Sequence, residues 1–121
     1  MSPTVVTKDM PMTETEELRA VISRDDGRTT VRVAGEVDVV TAPQLRRALE
    51  TALSHGAGRI EVDFTSVPFC DCSGLNVLLW ARRRATEQGS AFRVTGVTSH
   101  LVRKLFRTTG TAAALTGAPT T

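Results

Sequence analysis

Apolar residues fall into regular patterns from Leu18 onward, and the period of each pattern names an element. Leu18 to Arg24 and Arg28 to Gly35 are rich in Val and Ile. The corner Asp25-Asp26-Gly27 between them is a hairpin signal, which predicts two antiparallel strands. In the second, Val31 and Val33 alternate with Thr30, Arg32 and Ala34, as a strand with one wet face requires. Leu45, Ala48, Leu49 and Ala52 then recur at helical spacing, with Thr41 as N-cap, Pro43 at the start, and Gly56 to Gly58 as the stop. Ile60, Val62 and Phe64 alternate with Glu61 and Asp63, a third strand. Leu75, Leu78, Ala81 and Ala85 line one side of a helix that runs to about Gln88 and ends at Gly89. A short strand, Ala91 to Thr95, follows. Thr98 or Ser99 then caps a helix carrying Leu101, Val102, Leu105 and Phe106, and a weaker turn includes Ala112 to Leu115.

A hairpin followed by alternating helices and strands predicts the α/β class, with a small mixed, mostly parallel sheet of about four to five strands and three to four flanking helices. Residues 1–16 mix Thr, Glu, Met and Pro without periodicity and are expected to form a flexible tail, residues 17–116 one domain, and residues 117–121 a frayed end. A chain of 121 residues can bury a core without a disulfide, a metal or a partner. No stretch nears the roughly 20 apolar residues of a membrane span, and the opening residues lack the apolar run of a secretion signal. A soluble cytoplasmic protein with reduced cysteines is expected. The net charge of +2 demands no polyanion, and one Trp, four Phe and no Tyr supply no platform for nucleic-acid bases.

The chemistry-bearing residues concentrate in VPFCDCSGLN, Val67 to Asn76. Structural zinc needs four ligands of Cys or His type, whereas the chain has two of each and a Cys-x-Cys spacing that does not suit it, so no metal site is expected. Asp71-Cys72-Ser73-Gly74 is not a hydrolase nucleophile elbow. No phosphate-cradling glycine loop accompanies the only lysines, Lys8 and Lys104. The chain therefore reads as a non-enzyme without a cofactor. Cys70 and Cys72 lie where a helix start favours a thiolate, which opens a redox-sensing alternative. The plainer reading makes Cys70 a small buried hydrophobe and Cys72 the more exposed filler of a turn.

Residues 33–49, VAGEVDVVTAPQLRRAL, and 62–79, VDFTSVPFCDCSGLNVLL, resemble the two signature segments of STAS-domain anti-sigma factor antagonists. The likeness runs from about Leu18 to Leu115. It implies a non-catalytic protein that binds an anti-sigma factor, often a serine kinase with a histidine-kinase-like ATP fold, and so frees a sigma factor for transcription. It also implies a small sheet flanked by helices; the absent docking motifs and apolar spans already argue against direct contact with nucleic acid or membrane. In the family the serine directly after the loop aspartate is phosphorylated by the anti-sigma kinase, and a phosphatase reverses the modification. Here Cys72 occupies that position, so the candidate acceptor is Ser73 within the switch loop Asp71, Cys72, Ser73 and Gly74. A phosphate would add about −2 charge against the free N–H groups of a helix start. Ser73 as a simple N-cap residue is the competing role. Without phosphorylation, the function becomes constitutive antagonism or a scaffold role.

Helical spacing groups Asn76, Trp80, Arg83, Arg84 and Glu87 opposite the face of Leu78 and Ala85, an expected exposed tryptophan among arginines. Trp and Arg are common binding hot spots, and the resemblance implies that this helix and its preceding loop face the anti-sigma factor. Packing of Trp80 under a neighbouring segment is the alternative. Asp38, which matches the aspartate of the first signature segment, is expected in a loop near the same edge, with turn formation as its competing role. The basic runs Arg82 to Arg84 and Arg103 to Arg107 are read as solvated faces.

Overall fold

The computed structural model describes residues 4–5 and 18–117. Its elements in chain order are β1 (Thr4–Val5), β2 (Leu18–Asp25), β3 (Arg28–Gly35), α1 (Ala42–Ser54), β4 (Arg59–Ser66), α2 (Cys72–Glu87), β5 (Ala91–Thr95), α3 (His100–Thr108) and α4 (Ala112–Thr116). The strands lie side by side in sequence order in one sheet. β1 with β2 and β2 with β3 are antiparallel, whereas β3 with β4 and β4 with β5 are parallel. The α/β mixed sheet is therefore present, its pairings divided evenly between the two directions. Thr4 and Val5 pair with Ile22 and Val21, so the segment expected as tail contributes a short strand. The rest of residues 1–16, residue 17 and residues 118–121 lie outside the described residues.

The hairpin forms as its corner dictates. Asp26 and Gly27 have φ of 44° and 78°, the double positive φ of a primed two-residue turn whose twist matches the flanking strands. Alternation then sorts strands β2 to β5. Leu18, Ala20 and Ile22 of β2, Val31 and Val33 of β3, Ile60, Val62 and Phe64 of β4, and Val94 of β5 face one side and are buried. Leu45, Ala48, Leu49 and Ala52 of α1 and Leu75, Leu78, Ala81 and Ala85 of α2 meet them in a single core. Each fully buried Leu, Ile or Phe there contributes about 1.5–3 kcal/mol. Val102 and Phe106 of α3 and Leu115 of α4 close its margin. Ser99 caps α3, its Oγ accepting from the Val102 N–H at 3.3 Å.

Each parallel strand pair is joined by one helix, and this crossover sends the ends of β3 and β4 to the same edge. Their register slips by one residue between Arg32, opposite Asp63, and Ala34, opposite Ser66. Beyond the slip the two chains meet once more, in a single parallel bridge between Val37 and Cys70. Among the described residues no helix is long and apolar enough to cross a membrane.

Candidate docking site at the loop edge

The bridge is the foundation of the site. Val37 N–H donates to the Phe69 carbonyl at 2.9 Å and Asp71 N–H to the Val37 carbonyl at 3.1 Å, so the loop leaving β3 and the loop leaving β4 are held together. Val37 and Cys70 are buried beneath them.

On the first loop, Asp38 makes a turn. Its Oδ1 accepts from the N–H groups of Val40 at 3.0 Å and Thr41 at 3.1 Å, and its carbonyl accepts from Ala42 N–H at 2.7 Å. Thr41 precedes α1, as its spacing predicts, but its hydroxyl does not cap the helix. It accepts from Asp38 N–H at 2.9 Å and donates to the Glu36 carbonyl at 2.8 Å, which ties the turn to the strand end. The product is the display of Val39 and Val40, 70% and 71% exposed. Asp38 thus forms the turn, one of the two roles expected of it.

On the second loop, Asp71 is the N-cap of α2, and its Oδ1 accepts from Ser73 N–H at 2.8 Å. This corrects the capping role considered for Ser73. Asp71 and Ser73 both suit a cap, and the bridge at Cys70 decides between them by placing Asp71 in the extended conformation at the helix entry. Cys72 is then the first helical residue and is exposed, whereas Ser73 is half-buried. The Ser73 hydroxyl makes no hydrogen bond among the described residues. Gly74 lies against the bridge: a Cβ there would overlap Val37 Cγ1 and sit 2.7 Å from Cys70 Sγ, so only glycine lets α2 start this close.

Both cysteines are free thiols. Burial, reinforced by the neighbouring Asp71 carboxylate and Cys72, pushes the Cys70 thiol up to about 12, and its Sγ donates to the Asp71 carbonyl at 3.5 Å. A thiol so held stays protonated and makes a poor attacking group. No group of three His, Cys, Asp or Glu side chains able to hold a metal occurs among the described residues.

The α2 residues expected to meet a partner share the arc opposite the core, but not all of them are exposed. Asn76, Arg83 and Arg84 are exposed, but Trp80 is half-buried at the core margin. Arg46 of α1 lies over its ring, with Cζ 4.1 Å from the centroid, and Arg84 flanks it at 5.8 Å. α1 packs beside α2, which turns the tryptophan into a seam residue. Asp38, Asp71, Cys72 and Ser73 lie at the loop edge with Asn76 about one turn into α2, whereas Trp80 stands about 10 Å from Ser73 along the helix at 1.5 Å per residue.

Sequence reasoning missed the apolar part of the site. Phe69, 36% exposed, sits on the bridged loop. Leu101, 56% exposed, lies in the first turn of α3, which Ser99 Oγ ties to the Pro68 carbonyl at 2.8 Å. Together with Val39 and Val40 they form an apolar rim at the start of α2, of the kind that marks interaction sites. The signal was present in part: Val39-Val40 stands between turn-forming Asp38 and Thr41-Ala42-Pro43, where alternation cannot bury both.

Fold and site together are those of a small α/β domain built to display two bridged loops and a helix start. The family description "Mlab, STAS domain" matches residues 20–116, which makes the chain a STAS domain. It is similar to the anti-sigma-B factor antagonist of Listeria monocytogenes, with 33% identity over 87 residues that cover 72% of this chain and 75% of the relative. The anti-sigma-B factor antagonist of Bacillus subtilis is 29% identical over 89 residues, 74% and 80% of the two chains. The chain belongs to the family of STAS-domain anti-sigma factor antagonists. Its fold matches the crystal structure of an anti-sigma factor antagonist from Mycobacterium paratuberculosis with a TM-score of 0.70 at 23% identity, covering 81% of this chain and 82% of the other.

Proposed function

We propose that this protein acts by binding an anti-sigma factor through its loop edge, so releasing the sigma factor that the anti-sigma factor holds. The partner is a serine kinase with a histidine-kinase-like ATP fold, and Ser73 is the residue it phosphorylates. Val39, Val40, Phe69 and Leu101 supply the apolar contact, with Asn76 and the Arg46–Trp80–Arg84 seam extending it along α2 and α1, and exposed Arg83 beside them. One observation carries the reading: Asp71 takes the capping duty and leaves a serine hydroxyl unengaged in the first turn of α2, beside the exposed apolar rim. Phosphate on Ser73 would be held by the free N–H groups of that turn and would set about −2 charge among apolar contacts and beside the Asp71 carboxylate. Docking then fails until a phosphatase removes the group. The protein works in the cytoplasm, touches neither DNA nor membrane, and performs no chemistry of its own.

The test is pairwise calorimetry against each histidine-kinase-like serine kinase encoded in the source genome, followed by incubation with MgATP and peptide mapping of residues 67–84. Tight binding to one kinase, phosphate on Ser73 alone, and loss of binding by the phosphorylated protein are expected. Binding to none of them would sink the antagonist reading. Phosphate elsewhere, or binding that survives it, would sink the switch.

A further inference from the structure

Beyond the loop edge, the charge of the protein is unevenly laid out. Residues 88–121 contain no Asp or Glu, yet they carry Arg93, Arg103, Lys104 and Arg107. Three of these fall on α3, which buries Val102 and Phe106 and exposes His100, Leu101, Arg103, Lys104 and Arg107. At 100° per residue, Arg103, Arg107, His100 and Lys104 occupy one arc of about 100° pointing away from the core. Five arginines on the sheet, α1 and α2 have carboxylates beside them. Arg46 stands 3.4 Å from Glu50 on α1 and Arg84 3.8 Å from Glu87 on α2. On the uncovered sheet face Arg28 is 3.8 Å from Glu61 and Arg32 3.7 Å from Asp63. Among the described residues no ion pair reaches Arg103, Lys104 or Arg107. Arg103 and Arg107, four apart, repel one another, and no acidic residue in the first turn offsets the helix dipole. The outer face of α3 thus carries charge of a single sign, with Arg107 in the last turn, where the dipole favours a cation, and Arg103 one turn before it.

We propose that the exposed face of α3 is a docking strip for an acidic segment of a partner protein, continuous with the apolar rim through Leu101. Charge complementarity selects the occupant, and arginine suits it because the guanidinium fork pairs with carboxylates two bonds at a time. A bilayer would need the apolar face that α3 has spent on the core. A nucleic acid would find only the His100 ring on this arc to stack on and would leave exposed Leu101 unmatched. The strip goes beyond the proposed function and does not depend on the partner's being an anti-sigma factor.

The experiment is an NMR titration of the isotope-labelled protein with a capped peptide of Glu-Glu-Leu repeats. A Gln-Gln-Leu peptide, a short DNA duplex and phosphatidylglycerol vesicles serve as comparisons. Amide shifts should centre on Leu101 to Thr108 and fade as salt rises. Replacing Arg103, Lys104 and Arg107 together with Gln should weaken the acidic peptide about ten-fold, whereas Arg47→Gln on α1 leaves it unchanged. Shifts spread evenly over the other arginines, equal binding of the Gln-Gln-Leu peptide, or wild-type affinity in the triple variant would overturn the strip. Stronger perturbation of α3 by DNA or vesicles would overturn its assignment to a protein. Should the triple substitution unfold α3, the wild-type shift map decides by itself.

Discussion

Gly74→Ala puts two opposing effects on one atom. Alanine in place of glycine inside a helix is worth about 1 kcal/mol in its favour. The added Cβ would overlap Val37 Cγ1 and stand 2.7 Å from Cys70 Sγ. Neither neighbour moves easily. Val37 is fully buried and β-branched, and its N–H and carbonyl are both engaged in the bridge. Cys70 is buried with it. Overpacking of a tight core costs about 1–3 kcal/mol, and two simultaneous overlaps place this substitution at the upper end. The net expectation is a loss of about 2 kcal/mol, which lowers the melting temperature of a domain this size by about 10 °C. Circular dichroism melts of Gly74→Ala, Val37→Ala and the double variant measure it. Removing the valine methyls costs stability alone but should relieve the overlap, so the double variant should lie above the sum of the singles by about 1 kcal/mol or more. A Gly74→Ala protein as stable as wild type, or strict additivity, would refute the close approach of α2 to the bridge.

Asp71→Ala removes the cap of α2 and should cost about 1 kcal/mol, read as a drop in the urea midpoint at unchanged slope; an unmoved midpoint would mean that Asp71 does not hold the helix start. Ser73→Glu should change stability by less than about 0.5 kcal/mol, since the cap stays in place, while abolishing binding to the proposed kinase partner; a loss as large as that of Asp71→Ala would assign the capping to Ser73 after all. In the native protein only Cys72 should react promptly with a disulfide reagent, and Cys70 only on unfolding; prompt reaction of both would contradict the burial of Cys70. Burial, with Asp71 and Cys72 adding to it, raises the Cys70 thiol from 9.0 to about 12. The stability this group contributes is therefore intact below pH 9 and lost between pH 9 and 12, as the unfolded thiol ionises first. Cys70→Ala should flatten urea-derived stability over that window relative to wild type, and an equally steep decline would refute the shift.

What could be foreseen from residues and what could not divides along the reach of the interactions. The hairpin corner, the alternation of Ile60, Val62 and Phe64, and the helical recurrence of Leu75, Leu78, Ala81 and Ala85 are local signals, and the structure follows them. The pairing of Thr4–Val5 with β2 is made by backbone groups of distant residues, so no pattern announced it. For Trp80 the sequence leaves exposure and packing under a neighbour both open, because α2 alone decides only its own faces. The neighbour that covers its ring is Arg46, in a different helix 34 positions earlier, and it lies there because α1 and α2 pack side by side on one face of the sheet. The capping question was closed in the same way. Asp71 and Ser73 are both good caps in isolation, and the choice falls to the Val37–Cys70 bridge, whose partners lie on different βα loops.

That bridge also explains why residues of such different character must sit together in the second loop. Cys70 has to be small and apolar because it fills the space beneath α2, and Gly74 has to lack a Cβ because the same space admits no more atoms. Asp71 has to cap because the bridge forces the chain to leave the strand and enter the helix within one residue. Once those three positions are committed to structure, Cys72 and Ser73 are the positions of the turn left with side chains that the fold does not use: one exposed, the other with an unengaged hydroxyl. Chemical change at either position therefore alters the surface that a partner meets while the cap and the close packing of α2 persist. A loop in which the serine itself held the helix start could not separate the two, since modifying the hydroxyl would release the cap together with the signal. Separation of the capping carboxylate from the unengaged Ser73 hydroxyl is thus a consequence of where the two parallel strands rejoin, and it is what would let one short turn serve both the stability of the domain and the proposed switch.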